Sequence, residues 1–324
     1  MSRRSSIVCA MLVCAFVSGC SNNSNLTFAP HAGADAIREM PQSGGSWTTK
    51  APMTTARTLL GVGVVNGNVY AVGGSNGAKL HVVEAYDPLT NVWATKAPMP
   101  SARYELGVGV INGKLYAVGG TTGSIILNTV EVYNPSTDTW TSKAHMPTAR
   151  EALGVGVVNG KLYAVGGSNG TSSFTTVEAY NPTTNSWSSK APMPTARYGL
   201  AVGVINGILY AVGGQDSFVL NTVEAYDPAA NTWTTKAPMP TARLFFTAGV
   251  IKSKLYAIGG SAVTGDSNAV EAYNPSTNTW STKASMPTAR DGLGNGVIAN
   301  KVYAVGGDSD ANGYLNAVEA FSTH

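Results

Sequence analysis

The feature that most constrains this chain of 324 residues is a motif that returns six times, at intervals of 46 or 47 residues. Each copy contains Ala-Arg, then Gly-Gly, then a single Trp. The repeated positions are Arg57, Arg103, Arg150, Arg197, Arg243 and Arg290; Gly73, Gly119, Gly166, Gly213, Gly259 and Gly306; and Trp47, Trp93, Trp140, Trp187, Trp233 and Trp280. A unit of this length buries its apolar surface against its neighbours, and this period is typical of β-sheet blades.

Short apolar runs within each copy predict four strands. In the first copy, runs at 60–65 and 69–72 flank Asn66-Gly67, a strong hairpin signal because both turn positions need a positive φ. These runs are strands a and b; a third run ends at Asp87-Pro88, and a fourth carries Trp93. Three copies repeat the turn, as Asn112-Gly113, Asn159-Gly160 and Asn206-Gly207. Lys252-Ser253 and Ala299-Asn300 replace it in the last two copies, where we expect looser hairpins.

The double glycine after strand b, the Val-Glu-Ala-Tyr sequence or a close variant in strand c, and the Trp in strand d resemble the kelch repeat family. The resemblance covers residues 47–324 and implies an all-β, six-bladed β-propeller. The first copy begins with an isolated strand d at Trp47, and the last copy stops after strand c, with Phe321 in place of Tyr. We therefore expect residues 47–50 to pair with residues 318–321 and close the ring, which leaves no free sheet edge.

The N-terminal residues have a different character. Arg3 and Arg4 precede an apolar run from Ile7 to Val17 that is too short to span a bilayer. The run ends in Val17-Ser18-Gly19-Cys20, which resembles the lipobox of bacterial lipoproteins. This organisation predicts a signal peptide at 1–19, a lipidated Cys20 with a flexible tether at 20–46, and the propeller at 47–324. The location expected is the bacterial cell envelope, periplasmic or surface-exposed, with Cys20 as the membrane anchor.

Residues that recur in all six copies are expected to serve the architecture, and the residues that differ are candidates for function. The six arginines match six strand c glutamates in number, which predicts buried charge pairs. Variation concentrates after each Ala-Arg and in the loops after each Gly-Gly, which propeller geometry places at one mouth of the central channel. The ligand-binding residues predicted there are Tyr104, Glu105, Glu151, Tyr198, Phe245 and Asp291.

No cofactor is predicted, and metal binding is not the favoured interpretation. Residues 308–313, followed by Glu319, match the pattern of an EF-hand calcium loop, but they lie between two strands and lack flanking helices. A partial site formed by Asp308, Asp310 and Asn312 is the alternative to simple turn chemistry. The net charge of +3 and the absence of a Lys/Arg cluster argue against nucleic acid as a partner.

Three functions remain open because propellers host several. The first hypothesis is a noncatalytic recognition module that binds a carbohydrate or protein ligand at the mouth. The second is a sugar epimerase similar to the periplasmic kelch mutarotases of sialic acid, in which Glu105 or Glu151 would move the proton. The third is a structural spacer in the envelope, which the near-identity of the blades favours.

Overall fold

The computed structural model describes residues 44–323, and all regular secondary structure in that range is β-strand. Six antiparallel sheets of four strands form six blades, as the repeat predicted. No helix able to cross a bilayer occurs between residues 44 and 323. The predicted signal peptide, Cys20 and residues 20–43 of the predicted tether lie outside the described residues.

In each sheet the strands lie side by side in the order a, b, c, d. The a strands are Gly61–Val65, Gly107–Ile111, Gly154–Val158, Ala201–Ile205, Thr247–Ile251 and Gly294–Ile298. The b strands are Asn68–Val72, Lys114–Val118, Lys161–Val165, Ile208–Val212, Lys254–Ile258 and Lys301–Val305. The c strands are Val83–Asp87, Val130–Asn134, Val177–Asn181, Val223–Asp227, Val270–Asn274 and Val318–Ser322. The d strands of blades 1 to 5 are Val92–Lys96, Thr139–Lys143, Ser186–Ser189, Thr232–Lys236 and Thr279–Thr282.

Two-residue turns join strands a and b in every blade. Asn66 and Gly67 have φ values of 50° and 78°, which suits a tight hairpin. Lys252-Ser253 and Ala299-Asn300 form the same turn, with the same register and positive φ at both positions. The predicted looser hairpins therefore do not appear as a change of geometry. The difference is that Ser253 and Asn300 place a Cβ at the second turn position, in a backbone region that favours glycine.

The sixth blade is completed by both ends of the described chain. Strand d of blade 6 is Ser46–Lys50, and it pairs antiparallel with Val318–Ser322, with Trp47 opposite Phe321 and Lys50 opposite Val318. The a strands contact one another in cyclic order, and that of blade 6 contacts that of blade 1. The predicted closure is confirmed.

The hydrophobic core consists of layers between neighbouring blades. In the layer between blades 6 and 1, Tyr86 packs against Tyr303 with ring centroids 5.9 Å apart. The repeated Trp residues fasten each blade to the preceding one: the Trp93 indole N–H donates to the carbonyl of Ala51, at 2.9 Å. The other five Trp residues make the equivalent bond. The repeated aromatic residues are therefore structural.

The repeated arginines form the predicted charge pairs with the strand c glutamates. Arg57 lies 2.5 Å from Glu84, and both side chains are fully buried. Its guanidinium also donates to the carbonyls of Gly73 and Val82, at the two ends of the loop between strands b and c. Equivalent pairs are Arg103–Glu131, Arg150–Glu178, Arg197–Glu224, Arg243–Glu271 and Arg290–Glu319. Each pair holds one loop at its base.

The antiparallel order of the strands gives the propeller two distinct faces. The a–b and c–d turns lie on one face, which we call the turn face. The b–c loops and the connections from each strand d to the next strand a lie on the opposite face. We call the b–c loops, together with the two residues that follow each Ala-Arg, the mouth. The mouth is the surface on which the sequence analysis placed its candidate residues.

The unusual turn in blade 6 provides a test of the hairpin geometry. Ala299 and Asn300 have φ values of 47° and 62°, and the double variant Ala299→Asn with Asn300→Gly restores the sequence used by blades 1 to 4. We expect the free energy of unfolding to rise by about 1 kcal/mol, because a Cβ is costly in this region. Denaturant unfolding measures the change. The reverse exchange in blade 3, Asn159→Ala with Gly160→Asn, should destabilise the chain by a similar amount; equal stability of all three proteins would contradict the explanation.

Candidate functional site

Backbone pairing joins the two variable segments of each blade at the mouth. The first residue after Ala-Arg and the first residue after Gly-Gly exchange two hydrogen bonds, as Thr58 and Ser75 do at 2.9 and 2.8 Å. The other pairs are Tyr104–Thr121, Glu151–Ser168, Tyr198–Gln215, Leu244–Ser261 and Asp291–Asp308. This pairing brings the variable residues of the sequence together on one surface.

The second residues after each Ala-Arg form a closed ring of backbone hydrogen bonds around the central axis. Each N–H donates to the carbonyl of the equivalent residue in the previous blade, at 2.7 to 2.9 Å, through Leu59, Glu105, Ala152, Gly199, Phe245 and Gly292. All six have a positive φ between 50° and 61°. Four of them carry side chains despite this conformation, and such outliers often cluster at functional sites.

Glu105 and Phe245 belong to two cavities at once. A central cavity of about 110 Å³ is lined by the ring residues and by the leucines and Phe246 that follow them. A lateral pocket of about 580 Å³ lies over blades 3 and 4 and is lined by Glu105, Glu151, Tyr198, Phe245, Asp216 and the 168–173 loop. We call this lateral cavity the blade 3–4 pocket. It brings together four of the six predicted ligand-binding residues.

Burial shifts the acid–base behaviour of the carboxylates in this pocket. Burial first, and then the charge of Glu151, raises the pKa of Glu105 to about 7. Burial also raises the pKa of Glu151, although a hydrogen bond from Thr121 acts in the opposite direction. Glu105 can therefore gain or lose a proton near neutral pH, which is a property of general acids and bases.

Two aromatic side chains supply the apolar part of the blade 3–4 pocket. Tyr198 and Phe245 meet edge to face, with ring centroids 6.2 Å apart, and the Tyr198 hydroxyl donates to Oε1 of Gln215 at 3.1 Å. Tyr104 does not line the pocket. Its pKa is raised by burial and by the charges of Glu105 and Glu151, so Tyr104 lies within electrostatic range of both carboxylates.

Asp291 is separated from the other predicted residues. It lies on blade 6 and faces a second acidic group formed with Asp266, Asp308 and Asp310. Burial first, and then the charges of these three neighbours, raises the pKa of Asp291 to about 7. The Asp310 N–H donates to Oδ2 of Asp266 at 2.7 Å, which links the b–c loops of blades 5 and 6.

The alternative calcium site receives no support from this geometry. Asp308–Ser309 pairs with Gly313–Tyr314 in a short hairpin, like Ser261–Ala262 with Gly265–Asp266 in blade 5. Glu319 is engaged by Arg290 at 2.9 Å. Between residues 44 and 323, no group of three or more His, Cys, Asp or Glu side chains is arranged to hold a metal ion.

The mouth is strongly acidic, whereas the rest of the described surface is basic. Of the lysines between residues 44 and 323, only Lys79 belongs to the mouth. The six arginines of that range are all buried in ion pairs. Seven carboxylates belong to the mouth: Glu105, Glu151, Asp216, Asp266, Asp291, Asp308 and Asp310.

Sequence reasoning did not select Asp216 or Asp266. Both lie in b–c loops whose variation marked them as candidates in general, but the sequence contains no signal for which loop side chains turn toward the axis. Asp216 lines the blade 3–4 pocket, and Asp266 contacts Asp310. Their positions depend on loop conformation, which differs from blade to blade.

The comparisons with known proteins agree with the architecture. The model of the KLHDC2/KLHL20/DRC7 Kelch-repeats domain matches residues 62–260, and the Kelch motif model matches residues 242–287. No curated protein sequence matches the chain. The solved structure of YjhT has a TM-score of 0.72 and 19% identity, covering 82% of this chain and 94% of YjhT. At this identity the likeness shows the fold alone. The family model spans more than half of the chain, which therefore belongs to the kelch-repeat family.

Proposed function

We propose that this protein is a noncatalytic recognition module that holds a carbohydrate or protein ligand at the mouth of the propeller. The observation that carries the proposal is the blade 3–4 pocket, where side chains that depart from the sixfold repeat converge. Its volume of about 580 Å³ lies in the range of small-molecule sites and would also admit one or two side chains of a protein. The aromatic faces of Tyr198 and Phe245 offer an apolar contact, and the carboxylates accept hydrogen bonds.

Charge favours a neutral or positively charged ligand. Seven carboxylates and one lysine give the mouth a negative potential, and the buried ion pairs leave no arginine in the described chain for an anionic group. Hydroxyl groups of a neutral sugar or the ammonium and guanidinium groups of a protein segment would complement this surface. An anionic sugar such as sialic acid would meet repulsion.

A sugar epimerase or mutarotase is the second candidate, and the pKa of Glu105 is the observation that favours it. A carboxyl group that titrates near neutral pH can take a proton from a sugar hydroxyl and return it. Mutarotation assays on sialic acid and on neutral aldoses test this function. Activity that is lost in Glu105→Gln would favour the enzyme, whereas an inert protein that binds glycans or peptides would favour recognition. A protein with neither property would be left with the third role, an envelope spacer.

We also propose that acylation of Cys20 anchors the protein in the bacterial cell envelope. The support is the apolar run that ends in the lipobox-like sequence, and the small residues Ser18 and Gly19 fit the lipoprotein signal peptidase. Removal of residues 1–19 would leave Cys20 as the only cysteine of the mature chain. Several acyl chains on one thiol give durable membrane attachment.

Removal of two mouth tyrosines tests the position of the binding site. We expect Tyr104→Ala with Tyr198→Ala to weaken ligand binding by about thirtyfold, because buried aromatic side chains dominate the energy of recognition surfaces. A glycan array and a peptide library identify the ligand, and titration calorimetry measures the loss. Leu89→Ala, which removes an exposed apolar side chain from a c–d turn on the turn face, is the control. Unchanged affinity in a folded double variant would refute the placement.

The ionisation of Glu105 predicts a pH-dependent stability. Its pKa rises from 4.5 to about 7 on folding, so the folded state binds the proton more tightly than the unfolded state. Stability is therefore lost as the pH rises from about 4.5 to 7, by up to about 1.4 kcal/mol per pH unit. Glu105→Gln cannot ionise, and we expect it to exceed the parent in stability by about 2 to 3 kcal/mol at pH 8 and to match it near pH 4. Urea unfolding at both pH values measures the difference.

Asp216→Asn removes one charge from the same pocket at an exposed position and serves as the control for the preceding experiment. It should change the stability by less than 0.5 kcal/mol at either pH, as is usual for surface substitutions. A Glu105→Gln variant that gains the same stability at pH 4 and pH 8 would show that its effect does not come from ionisation.

The anchor is tested by labelling living cells with radioactive palmitate. We expect Cys20→Ala to abolish incorporation of the label and to release the protein from the membrane fraction. Cys14→Ala, within the apolar run, removes a thiol that is predicted to leave with the signal peptide, so label incorporation should be unchanged. Equal labelling of the parent and of Cys20→Ala would disprove the anchor.

A further inference from the structure

A basic groove lies at the seam between blades 5 and 6, on the side of the turn face. Its volume is about 170 Å³. The groove is lined by residues of blade 5 and of the two ends of the described chain: Lys252, Lys254, Tyr256 and Lys283, with Gly44, Gly45 and Thr323. None of these lining residues carries a negative charge. We call this site the seam groove.

The corresponding groove of blade 2 shows what is special about the seam groove. Lys114 and Lys143 occupy the positions of Lys254 and Lys283, and the c–d turn of blade 3, with Pro182 and Thr183, closes the groove on one side. Asn112 stands where blade 5 has Lys252. Blade 6 has no c–d turn, because its strands c and d come from opposite ends of the chain. The seam groove therefore gains a third lysine and loses a covering turn.

The third lysine is not required by the fold. Four blades use Asn-Gly in the a–b turn, whereas Lys252 and Ser253 adopt the same positive φ values of 47° and 57° without glycine. A lysine in this conformation is less favourable than the asparagine used elsewhere. Blade 6 also departs from Asn-Gly, with Ala299-Asn300, and what distinguishes the blade 5 turn is the charge that Lys252 adds to the lining of the groove.

The surroundings of the seam groove reinforce its charge. The c–d turns of blades 1 and 4 carry Asp87 and Asp227 where blade 5 has Asn274, and the c–d turn of blade 2 carries Asp138 where blade 5 has Asn278. Blades 3 and 5 have no carboxylate in this turn. Lys301, at the start of strand b in blade 6, adds a further exposed ammonium group on the turn face. The basic residues of this face thus concentrate at the seam without neighbouring carboxylates on the c–d turns.

We propose that the seam groove docks on an anionic phospholipid surface and orients the propeller with its mouth away from the membrane. This orientation rests on the proposed anchor at Cys20. Gly44, the first described residue, lines the groove, and 23 residues lie between it and Cys20. The tether predicted from the sequence would have an end-to-end distance of roughly 25 to 30 Å, so acylation would hold the groove near the bilayer. Lysines near a negatively charged leaflet are attracted to its phosphate groups.

Orientation is measured on the acylated full-length protein in vesicles. A donor dye is attached to Thr90→Cys on a c–d turn or to Ser217→Cys at the mouth, and the acceptor is a headgroup-labelled lipid. In vesicles with 30% phosphatidylglycerol we expect stronger energy transfer from position 90 than from position 217. Pure phosphatidylcholine, or 0.5 M salt, should remove the difference, because salt screens charges beyond a few ångströms.

A lysine-to-glutamine series tests the groove itself. Each lysine near an anionic surface contributes about fivefold to binding, so Lys252→Gln, Lys254→Gln and Lys283→Gln together should weaken the preference for phosphatidylglycerol by about 100-fold. Partition of the Cys20→Ala chain between buffer and vesicles measures this preference without the anchor. The control is Lys96→Gln, Lys190→Gln and Lys236→Gln, which removes the same charge at the d strands of blades 1, 3 and 4.

The outcomes separate the two proposals. Failure of acylation with a retained, groove-dependent preference for phosphatidylglycerol overturns the anchor and leaves the docking surface. Acylation with equal energy transfer from both dyes overturns the docking surface and leaves the anchor. Equal losses in the groove series and in the control series would show that net charge acts without a defined site. A groove filled by the acidic groups of the chain itself would show no dependence on anionic lipid, and the proposal would fall.

Discussion

The interaction on which the rest of the structure depends is the buried pair between each repeated arginine and the glutamate of strand c. A guanidinium without water is costly, and burial lowers the pKa of Arg57 to about 10 even though Glu84 acts to raise it. The cost is offset because the same guanidinium also binds the carbonyls of Gly73 and Val82. The pair thus ties the d–a connection to both ends of the b–c loop. Each b–c loop is fixed at its two ends, so the sequence at its tip can vary without disrupting the four-stranded sheet of the blade.

This division between base and tip explains what the sequence could and could not predict. The strands, the blade count, the charge pairs and the closure by Trp47 were predictable because the same packing solution recurs six times. The arrangement of the mouth was not, because it depends on features that differ between copies. Glu105 and Phe245 share one pocket with Glu151 and Tyr198, whereas Asp291 faces blade 5. Spacing along the chain gives no information on the conformations of the loop tips. The hydrogen-bonded ring at the axis requires a positive φ at each of its six residues, and four of these residues are not glycine, so their residue types do not predict this conformation.

The ring of backbone hydrogen bonds connects the rigid scaffold to the chemistry of the mouth. It fixes the backbone of Glu105 relative to all six blades, since each amide N–H donates to the carbonyl of the previous blade and the circle closes between Leu59 and Gly292. The backbone position that the ring fixes places the Glu105 carboxyl where burial, and then the charge of Glu151, raise its pKa. A preorganised site of this kind loses little entropy when a ligand binds. Recognition and proton transfer both benefit from this property, which is why the two candidate functions share one set of residues.

Negative charge at the mouth and positive charge at the seam groove make the surface of the propeller electrostatically asymmetric. Carboxylates gather at the mouth, and lysines gather elsewhere, with the densest group at the seam where the ring is closed by the chain ends. Closure and orientation are therefore linked: the missing c–d turn of blade 6 opens the seam groove, and the same opening is where the segment from Cys20 joins the propeller. A negative leaflet would attract the seam and repel the mouth, so both effects favour the same orientation. A recognition surface that is held away from the bilayer remains accessible to ligands in solution, which is the arrangement that an anchored binding module requires.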